Sequence, residues 1–308
     1  MNVDVVIVTY NRLEKLKKAL ACYENQTMTF RNMIVVNNHS NDGTFEYLES
    51  WKNMDAPFAK HVINTEENLG GSGGFYTGQK YAMLLSPDWI YIADDDAYAE
   101  KDMMEQFYRF CDTHDADKLS AICGAVYGVD GRLSLLHRST YKIVDGINFS
   151  RKDSVEDDYK NDYFNIDLLS YVCSFLNVRA LRKVGLVNPN YFIYFDDTEH
   201  SIRLNKYGDI VCVPNIKIQH EESGGVVNVD EDFSWRSYYI CRNKLHMQKK
   251  HCLRVAIDRT LYVRKVMVAN AKEKEHKKLL REALWDAWLG RLGKHKKYKP
   301  GWKPQNNG

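Results

Sequence analysis

The chain has 308 residues, of which 44% are hydrophobic and 27% charged, so it can bury a full core. Its seven scattered cysteines form no Cys-x-x-Cys pair, which argues against a disulfide framework or a zinc site and favours a reducing, cytoplasmic setting. The N-terminus does not resemble a signal peptide, and no apolar run approaches the roughly 18 residues of a membrane-spanning helix.

Strand and helix patterns alternate through the first hundred residues. The apolar, β-branched segment VDVVIVTY predicts a strand that is buried on both faces, and residues 11–26 place leucines at helical spacing. The same alternation predicts further strands at NMIVVNN, AKHVIN and DWIYIADDD, and helices at TFEYLESWKN and FYTGQKYAMLL. This order predicts a doubly wound α/β fold with a mostly parallel sheet between helices.

Polar segments follow each of these strands. They are TYNR, NNHSND, NLGGSGG and DDD, and binding sites in such sheets lie beyond the carboxyl ends of the strands. We therefore expect the four segments to share one crevice. The glycines of NLGGSGG predict a flexible loop, in which the backbone around Asn68, Gly70 and Gly71 can approach a phosphate or a sugar closely.

The three adjacent carboxylates Asp94, Asp95 and Asp96 are the strongest single signal. Their mutual repulsion is costly unless a cation compensates it, and hard divalent ions prefer oxygen ligands. A hydrated acidic turn is the alternative. Because the triplet ends a buried strand, the pattern favours a metal site.

A second acidic group lies in FDDTEHSIRL, which contains Asp196, Asp197 and Glu199. A carboxylate beside the aromatic run NYFIYF can act as a general base, whereas an aspartate at a helix start can also cap the helix. We expect one aspartate to cap and the other to do chemistry. The strand DIVCVPNIKIQH ends at His220, a candidate third ligand for an ion such as manganese.

Residues 226–308 carry 20 basic and 8 acidic side chains, whereas residues 1–225 carry 23 and 33. The sequence thus predicts two parts, a catalytic domain over 1–225 and a basic, mostly helical region over 226–308. In the helix that begins near Trp235, Arg242 with Asn243 is the better candidate to bind phosphate, because a guanidinium pairs bidentately with phosphate oxygens.

Together these motifs resemble family 2 glycosyltransferases of the GT-A fold, and within them the bacterial galactofuranosyl- and rhamnosyltransferase-like branch. The resemblance covers about residues 3 to 250. The segments that carry it, besides His220, are VIVTYNR (6–12), IVVNNHSNDGT (34–44), ENLGGSGGFYTG (67–78), DDDA (94–97), FDDTEHSIRL (195–204) and WRSYYICRN (235–243).

The resemblance implies a role for each group. Asp94 and Asp96 with His220 would hold Mn²⁺ or Mg²⁺, and Asp197 would deprotonate the acceptor hydroxyl with Asp196 and Glu199 in support. The attack would invert the anomeric configuration. The residues expected to bind the nucleotide or the donor are Thr9, Asn11, Arg12, Asn37, Asn68, Gly70, Gly71, Asp95, Arg242 and Asn243.

Asn37 stands where many relatives carry an aspartate that recognises the base, although an asparagine can still bond to uracil or thymine. The form NLGGSGGF favours UDP-galactofuranose as donor, with dTDP-rhamnose as the alternative. The acceptor would be a glycan or a lipid-linked glycan in bacterial cell-surface polysaccharide synthesis. A nucleotidyltransferase and a sugar-binding protein without catalysis are the alternatives from other classes.

The C-terminal segment KKLLREALWDAWLGRLGKHKKYK combines basic residues with an apolar helical face at Leu280, Leu284, Trp288 and Leu292. Such a helix can lie on an anionic bilayer, or it can pack on the catalytic domain with its basic face in solvent. We therefore expect peripheral membrane contact through residues 277–299 at the inner face of the cell membrane. No nucleic-acid motif accompanies the basic residues, and a homo-oligomer is compatible with the sequence.

Overall fold

The computed structural model describes residues 1–144, 148–221, 233–271 and 274–304. The strands are β1 (Val3–Thr9), β2 (Asn32–Asn37), β3 (Ala59–Asn64), β4 (Trp89–Asp94), β5 (Ala97–Ala99), β6 (Leu119–Gly128), β7 (Arg138–Val144), β8 (Asn148–Asp153), β9 (Phe164–Ile166), β10 (Leu168–Leu169), β11 (Ser174–Asn177) and β12 (Asp209–His220). The helices are α1 (Leu13–Glu24), α2 (Thr44–Trp51), α3 (Gly70–Leu85), α4 (Met103–Thr113), α5 (Val178–Val184), α6 (Asp196–Leu204), α7 (Trp235–His251), α8 (Leu253–Tyr262), α9 (Val268–Asn270) and α10 (Lys274–Leu289).

The core is a nine-stranded mixed sheet in the order β3-β2-β1-β4-β11-β6-β12-β5, with β9 added beside β12. Strands β3, β2, β1 and β4 run parallel, and β1 and β2 are buried along their whole length because helices cover both faces. The strands and helices predicted over the first hundred residues are confirmed. The carboxyl ends of these four strands meet at one edge, as a doubly wound sheet requires.

The glycine-rich segment was predicted to be a flexible loop, but most of it is helical, because α3 already begins at Gly70. The glycines let this helix lie directly against the sheet. A Cβ on Gly74 would meet a Val8 methyl at 2.5 Å, and a Cβ on Gly78 would meet a Val6 methyl at 2.3 Å. Close packing of helix on strand, rather than loop flexibility, therefore explains these two glycines.

The second half of the sheet is mixed. Strand β11 runs antiparallel to both β4 and β6, and β12 runs parallel to β6. Strand β11 is short, covering Ser174–Asn177, and α5 follows it at once. Strands β10, β7 and β8 form a separate three-stranded sheet. The segment with Asp196, Asp197 and Glu199 forms the short helix α6, which ends at Leu204.

The C-terminal helices form a second core with the segment at residues 189–195. Helix α10 packs on α7, and its residues Leu280, Leu284 and Ala287 are buried in that contact. The apolar face that predicted membrane contact through residues 277–299 is therefore largely occupied by protein. The described part of the chain has no helix with the length and hydrophobicity to cross a bilayer. The boundary predicted at residue 225 lies outside the described residues.

Candidate active site

The acidic triplet and His220 come together because of strand pairing. Asp94 ends β4, Asp95 and Asp96 form the turn, and the next strand, β5, pairs antiparallel with the end of β12, where His220 lies opposite Ala97. The His220 Nε2 atom is 3.1 Å from Asp96 Oδ1. One ligand atom from each of Asp94, Asp96 and His220 lies within 4.8 Å of the other two.

Two cations from α1 and the residue before it face the triplet. Arg12 Nη1 lies 2.7 Å from Asp96 Oδ2 and 3.2 Å from Asp95 Oδ1, and Lys15 Nζ lies 3.5 Å from Asp96 Oδ2. Burial, and then the charge of Asp96, raises the pKa of Asp94 to about 7. Burial also acts on Asp96, yet the bond and charge of His220 together with Arg12 lower the pKa of Asp96. The site therefore concentrates negative charge that needs positive partners.

The donor atoms fit a divalent cation. Two carboxylates supply the hard oxygen ligands that Mg²⁺ and Mn²⁺ prefer, and Mn²⁺ accepts an imidazole nitrogen more readily than the harder Mg²⁺ does. All three ligands stand on strand ends or a tight turn, so little ordering is required of them. Asp95 is held apart from this set, because it accepts a 2.7 Å hydrogen bond from Thr9 Oγ1 and contacts Arg12.

A pocket of about 310 Å³ opens beside the triplet. It joins the ends of β1 and β4 to the start of α3, so it lies where the polar segments were predicted to meet. Six of the predicted donor-binding residues line it together with Asp94, namely Thr9, Arg12, Asn68, Gly70, Gly71 and Asp95.

Asn11 and Asn37 were predicted to bind the nucleotide sugar, but in the structure their side chains form hydrogen bonds with neighbouring loops. Asn11 has a φ of 53° and its Oδ1 accepts a 2.8 Å bond from the Asn41 amide. Asn37 is 2% exposed, donates to Asn64 Oδ1 at 2.9 Å, and accepts from the Ser40 amide. The neighbour Asn38 lines the pocket instead and bonds to the Gly70 carbonyl at 3.0 Å. The doubled asparagine of IVVNN was the available signal for it.

The second carboxylate group lies at the start of α6. Asp196 and Asp197 begin α6, and the charge of Asp94 is among the causes that raise the pKa of Asp196. Burial and then the charge of Asp197 raise that pKa to about 8. Asp197 is half-buried, and its Oδ1 accepts a 2.6 Å hydrogen bond from the Thr198 amide. The expectation that one aspartate caps the helix is wrong, because Phe195 is the N-cap residue and no side chain caps the helix.

The segment before Asp196 has an unusual backbone. Phe192, Tyr194 and Phe195 have φ values of 68°, 68° and 65°, in the left-handed region that side chains rarely adopt. Strain of this kind persists only where the surroundings impose it, and the Phe192 carbonyl accepts a 3.2 Å bond from the Ser72 amide of α3. Gly70 is required beside it, because a Cβ there would lie 2.0 Å from the Phe192 oxygen.

Arg242 and Asn243 hold this strained segment. They were predicted to bind phosphate, but the structure places them against backbone carbonyls of the segment. Asn243 is 0% exposed and donates to the carbonyls of Tyr191, Ile193 and Tyr194 at 2.9, 2.8 and 3.0 Å. Arg242 is 1% exposed and donates to the Tyr191 carbonyl at 3.1 Å. The other guanidinium nitrogens of Arg242 donate to the Gly293 carbonyl at 2.7 Å and to Asn243 Oδ1 at 2.9 Å, so bonds within the protein occupy both side chains and the geometry favours a positioning role.

Glu199, predicted to support the base, has a separate set of partners. It is 0% exposed and pairs with Arg203, Lys250 and His251 at 2.9, 2.7 and 3.2 Å. Burial opposes its charge, but the bond from His251 and the charge of Arg203 lower the pKa of Glu199 below its usual range. Glu199 thus ties α6 to the end of α7.

The pocket also contains residues that the sequence did not assign to the donor. Trp235 and Arg236 at the start of α7 line it, as do Phe192, Ile193 and Pro300. Arg236, rather than Arg242, is the guanidinium of α7 that reaches the pocket. The sequence analysis found binding residues by looking for polar segments directly after an apolar strand. No such strand directly precedes α7 in the described residues, so this rule did not identify Trp235 and Arg236.

Residues 4–185, more than half of the chain, match the family described as Glycosyl transferase family 2. Galactofuranosyltransferase GlfT1 of Mycolicibacterium smegmatis is 27% identical over 214 residues, which cover 67% of this chain and 66% of that protein. The protein of the same name from Mycobacterium tuberculosis is 34% identical over 99 residues, 32% of each chain. The matches thus span less than two thirds of the length of these relatives.

Solved structures share the fold. Staphylococcus aureus TarS 1–349 in complex with UDP gives a TM-score of 0.59 at 16% identity, covering 93% of this chain and 80% of that one. GalNAc-T7 with UDP, GalNAc and Mn²⁺ gives 0.61 at 13% identity, covering 92% and 55%. At such identities the likeness establishes the fold alone, and the GT-A-like fold predicted from the sequence is confirmed.

Proposed function

The chain belongs to glycosyl transferase family 2, and from this premise we propose that it is a metal-dependent, inverting glycosyltransferase. The proposed donor is UDP-galactofuranose, and the acceptor is a hydroxyl of a glycan or lipid-linked glycan in cell-surface polysaccharide synthesis. The relatives named galactofuranosyltransferase support this donor over dTDP-rhamnose. Family membership also argues against a nucleotidyltransferase.

One observation carries the proposal. The ligand atoms of Asp94, Asp96 and His220 converge within 4.8 Å beside a pocket lined by Thr9 and Arg12. Mn²⁺ or Mg²⁺ held there would neutralise charge on the diphosphate as it leaves. The pocket is formed by the carboxyl ends of parallel strands and the amino end of α3, a place where backbone amides favour an anionic ligand.

Asp197 is the proposed base. It is half-buried next to Asp196, and burial raises its pKa, so the carboxylate binds a proton more readily than an exposed aspartate. The Thr198 amide and hydroxyl bond to its Oδ1 at 2.6 and 3.1 Å, which fixes the orientation of the carboxylate. Proton removal from the acceptor hydroxyl by Asp197 generates the nucleophile, and attack opposite to the leaving group inverts the anomeric centre.

Arg12 and Lys15 have a second task in this proposal. They neutralise Asp95 and Asp96 in the absence of other cations, and both can turn toward the phosphates of a bound donor. Arg236, at the start of α7, adds a further cation at the pocket. The donor diphosphate would thus meet cations from the α1 and α7 sides.

The donor is tested with a panel of UDP-galactofuranose, UDP-galactopyranose, UDP-N-acetylglucosamine and dTDP-rhamnose. Donor turnover is measured with Mn²⁺ and after chelation. We expect turnover of UDP-galactofuranose that depends on the metal, and an inverted anomeric signal in the NMR spectrum of the transferred sugar. Activity with dTDP-rhamnose alone would contradict the proposed donor and favour a rhamnosyltransferase. Full activity in the presence of chelator would contradict the proposed metal dependence.

The roles of the carboxylates are separated by two variants. Asp197→Asn should lower transfer by about 10²- to 10⁴-fold while UDP binding in Mn²⁺ stays unchanged, because only proton removal is lost. Asp96→Ala should weaken UDP binding itself, as calorimetry would show. Asp157→Asn, which changes a carboxylate that is 81% exposed, is the matched control and should leave both quantities unchanged.

A further inference from the structure

Helix α8 exposes an apolar stripe. Leu253, Ile257 and Leu261 follow one another at intervals of four residues and are 54%, 48% and 46% exposed. Val266, in the π-helical turn Val263–Met267 that continues α8, is 38% exposed. Side chains four residues apart share one face of a helix, so these residues form a continuous surface, here called the α8 stripe.

The α8 stripe belongs to a helix that is already fixed in the protein. Val255, Ala256 and Val263 on the other face are 3%, 0% and 0% exposed, and α8 packs on α7. The Trp288 indole of α10 donates to Thr260 Oγ1 at 3.0 Å. The exposed apolar residues of the stripe therefore are not needed to hold α8 in place. A contiguous exposed apolar surface of this kind indicates a contact site.

The surroundings of the α8 stripe are basic. Residues 253–267 contain four basic side chains and one aspartate. Arg254, Arg264 and Lys265 are exposed, and within the described part of the chain none of these three forms an ion pair. Asp258, also exposed, is the acidic exception. An apolar stripe with basic residues around it is the arrangement of helices that lie in the plane of an anionic membrane surface.

We propose that the α8 stripe is a membrane-docking surface that inserts its apolar side chains into the headgroup region of an anionic bilayer. The charge favours a bilayer over a second copy of the chain. Symmetric pairing through the stripe would bring the same basic residues together, whereas anionic lipids attract them. This surface replaces the α10 segment of residues 277–299, whose apolar face is buried against α7.

The test is sedimentation of the full chain with vesicles of phosphatidylcholine containing about one third phosphatidylglycerol, compared with phosphatidylcholine alone. We expect binding to the anionic vesicles that weakens as salt rises. The double variant Ile257→Glu with Leu261→Glu should bind at least about tenfold more weakly, because it places charge on the face that enters the interface. Arg264→Gln with Lys265→Gln should weaken binding to anionic vesicles and reduce its salt dependence.

The control is Leu84→Glu, which puts the same charge at a leucine that is 76% exposed on α3, and it should bind like the unaltered protein. Thermal unfolding and UDP binding show that the variants are folded. Unchanged vesicle binding by the Ile257–Leu261 variant overturns the proposal. If that variant instead converts a dimer to a monomer in solution without affecting vesicle binding, the stripe is an interface between copies and the proposal is equally overturned.

Discussion

His200, a buried residue of the helix that carries the proposed base, links pH to the stability of the protein. It is 0% exposed, its Nε2–H donates to the Gly185 carbonyl at 3.0 Å, and its Nδ1 accepts a 2.5 Å bond from the Tyr171 hydroxyl. The neutral ring can therefore satisfy both of its nitrogens. Burial, and then the charge of Arg203, lowers the pKa of His200 from its ordinary 6.5 to about 3.

The sign of the pH effect follows from this depression. Below pH 6.5 the unfolded chain binds a proton at His200 that the native protein does not accept, so acid favours unfolding. The free energy of unfolding should fall by up to about 1.4 kcal/mol per pH unit from this residue alone between pH ~6.5 and ~5. His200→Gln should show a flatter decline, measured by denaturant titration across this range. The exposed His114→Gln should keep the original slope, and a parallel decline in His200→Gln would contradict the assignment.

Asn243 is the clearest positioning residue. Its amide donates to three carbonyls of the strained segment that precedes Asp197. Asn243→Leu keeps the size but removes these bonds, so the segment should relax and Asp197 should lose its alignment. We expect kcat to fall at least about tenfold while the affinity for UDP changes little. An equal loss of kcat and UDP affinity would place Asn243 with the donor, as the sequence had indicated.

For single residues, the sequence indicated which side chains have suitable chemistry, but it did not indicate which partners those side chains contact. Adjacent aspartates at a strand end indicate a cation whatever the rest of the fold does, and Asp94 and Asp96 indeed lie with His220. Arg242 gave the wrong impression for a physical reason, because a guanidinium can pair with backbone carbonyls as well as with phosphate. Only the three-dimensional neighbours of the side chain decide between these partners.

Among the secondary-structure elements, α3 allows a test of whether its glycines are required for close packing on the sheet. Gly71 and Gly78 lie in the same helix, and neither has a positive φ. A Cβ at Gly78 would lie 2.3 Å from Val6 and 3.2 Å from Val36, whereas nothing lies within 4 Å of a Cβ at Gly71. Gly78→Ala should therefore cost about 1–3 kcal/mol of unfolding free energy through overpacking.

Gly71→Ala is the matched control, and it should be neutral or stabilising by up to about 1 kcal/mol, because alanine favours the helix. Denaturant unfolding of the two variants gives the comparison directly. Equal free energies for both would mean that α3 can move away from the sheet, and that close packing does not explain its glycines.

The parallel strands were predictable because their β-branched runs are buried on both faces, which leaves a strong local pattern. The start of α3 was not, since a run of glycines has little local preference for helix. Its helical state comes from packing on β1 and β2, and this contact is visible only in the assembled sheet. Strand β5 is only three residues long, yet it brings His220 to the triplet.

For the whole molecule, the decisive contacts join distant parts of the chain. Arg138 is 0% exposed and donates to the carbonyls of Gly124 and Val172 at 3.0 and 2.7 Å, which fixes the middle of the sheet. The C-terminal segment returns to the candidate site, where Pro300 lines the pocket proposed for the donor and the buried Tyr298 accepts a bond at its carbonyl from Tyr239. No local pattern encodes such contacts, so the sequence analysis placed part of α7 at the site but did not predict that Pro300 would line the pocket.

The central claim is that Asp94, Asp96 and His220 hold a divalent cation beside the donor and within the same crevice as Asp197. The most direct measurement is an anomalous difference map, recorded at the manganese edge, from crystals grown with UDP and Mn²⁺. We expect one strong peak between these three side chains and next to the UDP phosphates, and no such peak for Asp96→Ala. A nucleotide bound in the pocket with manganese absent from these ligands, or bound far from Asp197, would contradict the account.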